Sequence, residues 1–317
     1  MDFNAYSSEV LEWLEGVRKN RGTDAEKTLM LCKNIRDYAR EQDDEKLLGY
    51  AYYYSGETYY LLNDVDKLFR NLSCSLPYLE HSRQHGLLAR AYNILAITSM
   101  NRGNAPFAMD YYLNARMYCE KYKLYDIGII ININIGMLYN NFGEYRQAEK
   151  YLEQAYDLLQ KNKEISEYYS YLLNIYIGLG NSCFYQEEYM QAQEYALRAK
   201  EVCSGHLEEL EQIAFACFEA RLCNAMGKKE ECDRNIAIVQ KVSDTRMPIL
   251  DIFDDLYAYC EMLLDTRKEE EFWKLVELLE KMAREAKIIY MQKRILTLKI
   301  RYYKRQEKNR EYLQACG

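Results

Sequence analysis

Asparagine side chains recur in stretches whose apolar spacing otherwise predicts α-helix, among them Asn93, Asn101, Asn141 and Asn181. Asparagine is a poor residue for a helix interior, because its amide competes for backbone hydrogen bonds. The same amide donates and accepts at once, so it can pair with one peptide unit of an extended ligand. It could equally brace two neighbouring helices. The sequence leaves both interpretations open.

The other residues that could carry chemistry form no catalytic arrangement. Gly178 and Gly180 lack the further glycines and the lysine of a phosphate-binding loop. His81 and His85 are four residues apart and could face one metal on a helix, but no third ligand stands in register. No serine has the surroundings of a nucleophile elbow. The sequence therefore predicts no enzymatic activity, no metal and no cofactor in this region.

Composition and charge narrow the class of protein. The 317 residues carry 42 Lys and Arg against 49 Asp and Glu, a net charge of −7, and 49% of them are hydrophobic. This is typical of a folded chain, and the negative charge argues against a general nucleic-acid binder. The longest apolar stretch, near Ile129–Gly136, falls short of the ~20 residues that span a bilayer. Acidic residues stand where a secretory signal would be basic and then apolar, so we expect a cytoplasmic protein without membrane insertion.

The ten cysteines include no C-x-x-C pair. Free, buried thiols are therefore expected rather than disulfides. Six of them lie inside apolar helical patterns: Cys32, Cys183, Cys217, Cys223, Cys232 and Cys260.

A period of about 40 residues runs through the chain. Small or tolerant residues recur at steps of 40, 40, 40, 44, 40, 40 and 40, at Gly16, Gly56, Ala96, Gly136, Gly180, Ala220, Cys260 and Ile300. Seven residues after each comes a break in the helical pattern, at Thr23, Asn63, Gly103, Gly143, Glu187, Gly227, Arg267 and Glu307. Each unit is thus predicted to be a hairpin of two helices.

The period predicts an all-α solenoid of about eight helix hairpins, with at least fourteen helices and no β-sheet. The small residue lets two antiparallel helices approach closely, and hairpins must stack because neither helix buries its apolar stripe alone. The step of 44 adds about one helical turn, which we place in Gln160–Tyr169. The last hairpin has only part of a second helix, from Lys308 to Gly317. We therefore expect residues 1–317 to form a single domain that is truncated before a C-terminal output domain.

Two units carry the residues of a known repeat. These units resemble the tetratricopeptide repeat (TPR) at the small, aromatic, turn and packing positions of its motif. The first unit has Gly136, Tyr139, Gly143, Tyr145, Ala148, Leu152 and Ala155 at these positions, and the next unit has Gly180, Tyr189, Ala192, Ala196 and Ala199. The period differs from the usual length of about 34, and the early Trp and terminal Pro of the motif are absent. Long repeats of this kind are similar to the sensory regions of bacterial signalling proteins, including quorum-sensing peptide receptors and diguanylate cyclases with a GGDEF domain. The resemblance implies a right-handed superhelical solenoid that binds a protein or peptide.

In stacked hairpins of this kind the first helix of each unit lines the concave face. Positions six and three before the small residue, and one and five after it, then form one exposed stripe. The candidate ligand-binding residues on and beside this stripe are Tyr53, Glu57, Tyr60, Arg90, Asn93, Asn141, Asn181, Tyr185, Arg221 and Asn224. The tyrosine-rich run Ala51–Tyr60 predicts an aromatic wall, although a self-association patch would show the same pattern.

The segment Lys287–Arg310 carries nine Lys or Arg against one Glu, a pattern that also suits a polyanion site. The period favours another interpretation. Arg294, Arg301 and Arg305 follow Asp254, Glu261 and Asp265 by 40 residues, so the three pairs should face each other across adjacent first helices. As exposed ion pairs they would specify register more than stability.

Together these patterns predict a protein- or peptide-binding scaffold, the sensor or interaction module of a bacterial cytosolic signalling protein with a GGDEF diguanylate cyclase domain. The alternative is a stand-alone TPR protein that binds a peptide or mediates oligomeric assembly. Self-association is compatible with either. A nucleic-acid partner is not expected, because a nucleic-acid-binding regulator would require a helix-turn-helix domain, and this sequence shows none.

Overall fold

The structure is a computed structural model that describes residues 6–243 and 249–306 of the chain. These ranges hold fifteen α-helices, two short 3₁₀ segments and no β-strand, which confirms the all-α prediction. The chain divides into two compact units, an N-terminal unit (Met1–Met100 with Asn104–Ile131) and a C-terminal unit (Asn101–Gly103 with Asn132–Gly317). The predicted partial helix from Lys308 lies outside the described residues, and the single-domain organisation stays a prediction.

The N-terminal unit consists of three helix hairpins and the start of a seventh helix. Its helices are α1 (Ser8–Asn20), α2 (Ala25–Glu41), α3 (Glu45–Leu61), α4 (Val65–His81), α5 (His85–Asn101), α6 (Ala105–Tyr122) and the first part of α7 (Tyr125–Asn141). Aspartates begin three of them, because a carboxylate accepts the unpaired amides of a first helical turn. Asp24 accepts from Lys27 N at 2.9 Å, and Asp44 accepts from Leu47 N at 3.0 Å.

The C-terminal unit continues the same alternation. Its helices are the remainder of α7, α8 (Tyr145–Gln160), α9 (Tyr168–Tyr185), α10 (Tyr189–Cys203), α11 (Glu209–Ala225), α12 (Lys229–Val239), α13 (Phe253–Asp265), α14 (Glu269–Glu285) and α15 (Ile289–Arg305), with 3₁₀ segments at Gln240–Ser243 and Ile249–Ile252. The first helices of its hairpins pack successively, α9 against α11, α11 against α13 and α13 against α15. They form the layer that carries the site.

First and second helices are buried to different extents. In α11 every residue from Ile213 to Cys223 is buried, because this helix packs against α9, α12 and α13. The second helix α8 buries only one stripe, Ala148, Tyr151, Leu152, Ala155 and Leu159, the i, i+3, i+4, i+7 spacing of a surface helix. Polar residues in a first helix are therefore confined to few positions.

The predicted period matches the elements. Each of the eight small positions lies in a first helix, from Gly16 in α1 to Ile300 in α15. Six of the predicted breaks have the left-handed backbone that ends a helix, including the non-glycine residues Asn63 (φ 55°), Glu187 (φ 63°) and Arg267 (φ 58°). In the first hairpin this conformation falls on Gly22 (φ 83°), one residue before the predicted Thr23.

Close helix contact explains the small positions. A Cβ on Gly56 would lie 2.5 Å from Leu72 Cδ2, and one on Gly136 would lie 2.6 Å from Leu152 Cγ. Each leucine belongs to the second helix of the same hairpin, as predicted. Gly180 differs, because its nearest neighbour is Phe218 of α11. There the small residue admits an aromatic ring from the next first helix.

The step of 44 residues falls where it was placed. Seven residues, 161–167, separate α8 from α9, whereas three separate α2 from α3 and α4 from α5. The six cysteines assigned to apolar patterns are all free and buried, which confirms that prediction. Across the described ranges no helix combines the length and apolarity needed to cross a bilayer.

Candidate functional site

A pocket of about 330 Å³ opens among the first helices of the C-terminal unit. Residues of α7, α9, α13 and α15 line it, together with the turn that leads into α8. They are Met137, Asn140, Asn141, Gly143, Tyr145, Asn181, Tyr185, Asp254, Asp255, Tyr257, Ala258, Glu261 and Arg294. Three of the sequence-predicted site residues, Asn141, Asn181 and Tyr185, come together here.

Asn141 ends α7 and reaches across the pocket. Its Nδ2 donates to Asp254 Oδ2 at 3.0 Å, a hydrogen bond between residues 113 positions apart. Side-chain bonds between adjacent first helices join residues 36 to 42 positions apart, such as Asn140 with Gly178 and Arg221 with Asn181. Asn141 and Asp254 therefore close one side of the pocket, between helices that are not neighbours in the repeat.

Asn181 is fixed by a buried arginine. Arg221 on α11 is 4% exposed and donates from Nη1 to Asn181 Oδ1 at 2.8 Å. Its guanidinium lies over the rings of Phe184 (4.5 Å) and Tyr185 (5.1 Å), which offsets part of the cost of burial. Asn181 is itself 9% exposed. Its Nδ2 has no acceptor among the residues the structure describes, so both donors of this NH2 group remain unused at the pocket.

Asn140, the residue before Asn141, is a brace. Its Nδ2 donates to Gly178 O at 2.8 Å, and its Oδ1 accepts from Ser182 Oγ at 2.8 Å. Both bonds link α7 to α9, so this amide is used on both sides. Asn140 and Asn181 both bond to a neighbouring first helix, as the bracing interpretation predicts, and Asn181 differs in that its Nδ2 is not used in these bonds.

The wall contributed by α13 is acidic. Asp254 Oδ1 accepts from Tyr290 Oη at 3.0 Å and lies 3.9 Å from Arg294 Nη1. Glu261 forms an ion pair and a hydrogen bond with Arg301. These two carboxylates are therefore compensated within the protein by groups on α15.

Asp255 is different. No other residue of the described ranges gives its carboxylate a hydrogen bond or an ion pair. Burial and the neighbouring charge of Asp254 raise the pKa of this carboxyl to about 7, against an opposing effect of Arg221. Near neutral pH this carboxyl is therefore close to the midpoint of its titration, in a pocket that has room for a ligand.

The predicted charge ladder between α13 and α15 is confirmed. Arg301 pairs with Glu261 and Arg305 pairs with Asp265, each 40 residues apart. The third pair, Arg294 with Asp254, is less exposed than expected, with 23% and 33% of the two side chains accessible. Arg294 is held in addition by the ring of Tyr257, 3.7 Å from the guanidinium carbon.

Aromatic rings form the remaining walls. Tyr145 stacks on Tyr185 with 5.5 Å between ring centroids and 9° between planes. Tyr185 is 38% exposed, so part of this stack is accessible to solvent. The offset geometry is favourable for aromatic pairs and leaves an electron-rich surface beside the carboxylates.

Five other sequence-predicted site residues belong to the N-terminal unit. Tyr53 is 1% exposed and donates to Glu57 Oε1 at 3.1 Å, so it is part of the packed layer and offers no open wall. Arg90 pairs with Asp126 at 3.2 Å. Asn93 is half-buried, and Tyr60 is 36% exposed.

The predicted site residues and the residues that line the pocket differ at several positions. Asn224 was selected, but it is exposed and does not line the pocket. Asp255, Tyr145 and Tyr257 were not selected as site residues. Tyr257 could have been predicted from the sequence, because it stands three residues before the small position Cys260 and so belongs to the exposed stripe of the repeat. Asp255 lies outside the stripe positions, and no spacing rule finds it.

Comparisons with known proteins add to the fold. No protein-family model matches the chain, and no curated protein matches it by sequence. One similar solved structure is the apo form of RapI, with a TM-score of 0.67 and 15% sequence identity over 88% of this chain and 97% of that chain. Another is NprR in complex with its cognate peptide NprX, with a TM-score of 0.60 and 17% identity over 100% of this chain and 88% of that chain. BtubC (BKLC) from P. vanneervenii is also similar, with a TM-score of 0.56 and 17% identity over 70% of this chain and 93% of that chain. At these identities the likeness concerns the fold alone, and it confirms a TPR-like helical repeat.

Proposed function

We propose that this chain is a peptide-binding TPR-like scaffold, and that its C-terminal unit binds an extended peptide segment at the pocket between α7, α9, α13 and α15. The observation that carries the proposal is the partly free amide of Asn181 at a pocket of about 330 Å³ with aromatic walls. An amide that lines a pocket with its NH2 group unused can pair with a peptide carbonyl.

The fold of the neighbours supports the same function. NprR has a similar fold and was crystallised with its cognate peptide NprX. In helical repeats the inner helices present an extended surface to ligands, which suits a peptide better than a compact small molecule. A modest affinity is expected, because each net hydrogen bond contributes about 0.5–1.5 kcal/mol.

The wider context is part of the proposal. A sensor role in a bacterial cytosolic signalling protein, coupled to a GGDEF output domain, rests on the family resemblance, and a stand-alone peptide-binding protein is the alternative. The predicted contribution of Tyr53, Glu57, Tyr60, Arg90 and Asn93 to ligand binding also stays a prediction. The contribution predicted for Asn224 is not part of this proposal, because Asn224 does not line the pocket. Reading the coding sequence downstream of codon 317 for a GGDEF domain distinguishes the two contexts.

The binding proposal is tested by affinity selection. The purified chain is mixed with a pool of random heptapeptides, bound peptides are separated with the protein by size exclusion, and they are identified by mass spectrometry. We expect a related set of peptides to be retained. The double variant Asn141→Ala with Asn181→Ala should weaken their binding by about 5- to 150-fold, the value of two hydrogen bonds.

A matched control uses another asparagine of the same layer. Asn224 is exposed on α11 and does not line the pocket, so Asn224→Ala should keep the affinity of the wild type. Melting temperatures of all variants are measured in parallel. Loss of stability in the double variant with unchanged peptide retention would mean that these asparagines are only braces, and the proposal would be wrong.

A further inference from the structure

One carboxylate of the pocket has no direct hydrogen-bond or ion-pair partner on another described residue, and the charge of the buried Arg221 acts on it only from a distance. Asp254 has Tyr290 and Arg294, and Glu261 has Arg301. Asp255 lines the same pocket without a hydrogen bond or ion pair from another described residue. A part-buried carboxylate without a cation is unfavourable when ionised. A ligand that brings one positive charge would remove that penalty.

The surroundings of Asp255 suit a cation. Tyr145 and Tyr185 stack at one side of the pocket, and Tyr257 lies at another. Ring faces attract ammonium and guanidinium groups. The pocket already holds such a group from the chain itself, because the guanidinium of Arg294 lies 3.7 Å from the Tyr257 ring centroid and beside Asp254.

We propose that the peptide ligand presents a single cationic group, a lysine or arginine side chain or its own N-terminal ammonium, to the carboxylate of Asp255. This inference rests on the proposed function and adds to it the chemical class of the ligand. The cation forms an ion pair with Asp255 while the amides of Asn141 and Asn181 hold the adjoining backbone.

The protonation state of Asp255 gives the proposal a second observable. Its pKa of about 7 means that the carboxyl must lose its proton before it pairs with a cation. Affinity for a peptide that presents a lysine or arginine side chain should therefore rise by about tenfold from pH 6 to pH 8, the ratio of the ionised fractions of Asp255. For an N-terminal ammonium the rise should be smaller, because this group loses its own proton near pH 8. The titratable and charged groups that face this part of the pocket are Cys217 and Arg221 on α11, Asp254, Tyr257 and Glu261 on α13, Tyr290 and Arg294 on α15, Tyr145 on α8 and Tyr185 on α9. Burial raises the pKa of Cys217 well above its usual value, so this thiol stays neutral in that range.

Three peptide pools test the proposal. All are random heptapeptides with amidated C-termini. The first has an acetylated N-terminus and a central lysine, the second has an acetylated N-terminus and a central acetyl-lysine, and the third has a free N-terminus and a central acetyl-lysine. Retention by the full chain is measured at pH 6 and pH 8 by affinity selection and mass spectrometry.

We expect the first or third pool to be retained at least tenfold better than the second at pH 8. The preferred pool identifies the side chain or the N-terminus as the source of the charge. Asp255→Asn should abolish the preference and its pH dependence, and Asp255→Glu should restore part of both. Asp265→Asn is the matched control, because this carboxylate is paired with Arg305 and lies outside the pocket; the preference should survive there.

Other results would overturn the inference. If the three pools are retained equally and the Asn141→Ala, Asn181→Ala double loses them, the cationic ligand is wrong while the proposed function stands. If the preference persists in a folded Asp255→Asn, another carboxylate provides it and the assignment to Asp255 is wrong. If no pool is retained, both proposals are wrong.

Discussion

The helices α3 and α13 place the same residue pair at the same repeat positions, yet the pairs behave differently. Tyr53 and Glu57 in α3 correspond to Tyr257 and Glu261 in α13, three before and one after the small residue. In α3 the tyrosine hydroxyl donates to the glutamate of its own helix at 3.1 Å. In α13 the tyrosine ring contacts Arg294, and the glutamate pairs with Arg301 on α15.

A repeat position therefore determines where a side chain lies in the layer of first helices, and the residues of the next repeat determine which groups it contacts. Forty residues after Asp254 and Glu261 come two arginines, whereas forty after Tyr50 and Glu57 come Arg90 and Ile97. With two cations opposite, α13 becomes one wall of a charged pocket. With Ile97 at the position opposite Glu57, the pair in α3 is satisfied locally. Both tyrosines are buried, Tyr53 at 1% and Tyr257 at 5% exposure, so the two pairs differ in their partners and not in their burial.

Removal of the buried tyrosine should have the largest effect. Tyr53→Ala deletes a ring that is 1% exposed, so we expect the free energy of unfolding to fall by about 3–5 kcal/mol. Tyr53→Phe removes only the hydroxyl and should cost about 0.5–1.5 kcal/mol. Urea unfolding followed by circular dichroism measures both. Tyr60→Ala is the control, at 36% exposure; an equal loss there would show that Tyr53 has no special place in the core.

An intermediate effect is expected at Asp255, and it depends on pH. The native state keeps this proton up to about pH 7, while an unfolded aspartate loses it near pH 4. The native state therefore binds more protons in this interval, and the contribution of Asp255 to stability falls as the pH rises from 4 to 7. Asp255→Asn should raise the free energy of unfolding by about 1–3 kcal/mol at pH 8 and change it little at pH 4.

Urea titrations of wild type and Asp255→Asn at several pH values provide the measurement. The difference between the two proteins should grow from pH 4 and level off above pH 7. A difference that is constant across this range would show that the carboxyl has an ordinary pKa, and the unpaired state of Asp255 would be refuted.

The charge ladder should show the smallest effect. Arg301→Glu places two acids together on α13 and α15, and the added change Glu261→Arg should restore most of the lost stability. We expect a coupling energy of about 0.5–1 kcal/mol in a double-mutant cycle, since both side chains are partly exposed, at 37% and 24%. Zero coupling, together with tight binding of Arg301-containing protein to heparin at low salt, would favour a polyanion site instead.

Sequence alone was sufficient for the repeat architecture. Eight small residues at near-constant spacing predicted the first helices, and the break positions predicted turns that adopt left-handed backbone at Asn63, Glu187 and Arg267. These features are local, because a helix hairpin requires a close contact and a chain reversal at fixed distances along the sequence. The acid–base matches at 40 residues were predictable for the same reason, since adjacent first helices stand in register.

Only the tertiary structure decided which candidates meet and which side chains stay unpaired. The hydrogen bond from Asn141 to Asp254 joins residues 113 positions apart, and its existence depends on how successive hairpins turn, a sum of small packing angles that no spacing records. The same packing buries Tyr53, occupies one side of Asn181 with Arg221 and leaves Asp255 without a hydrogen bond or ion pair from another residue that the structure describes. Accessibility and charge balance are properties of everything that surrounds a residue, so the pocket had to be found in three dimensions.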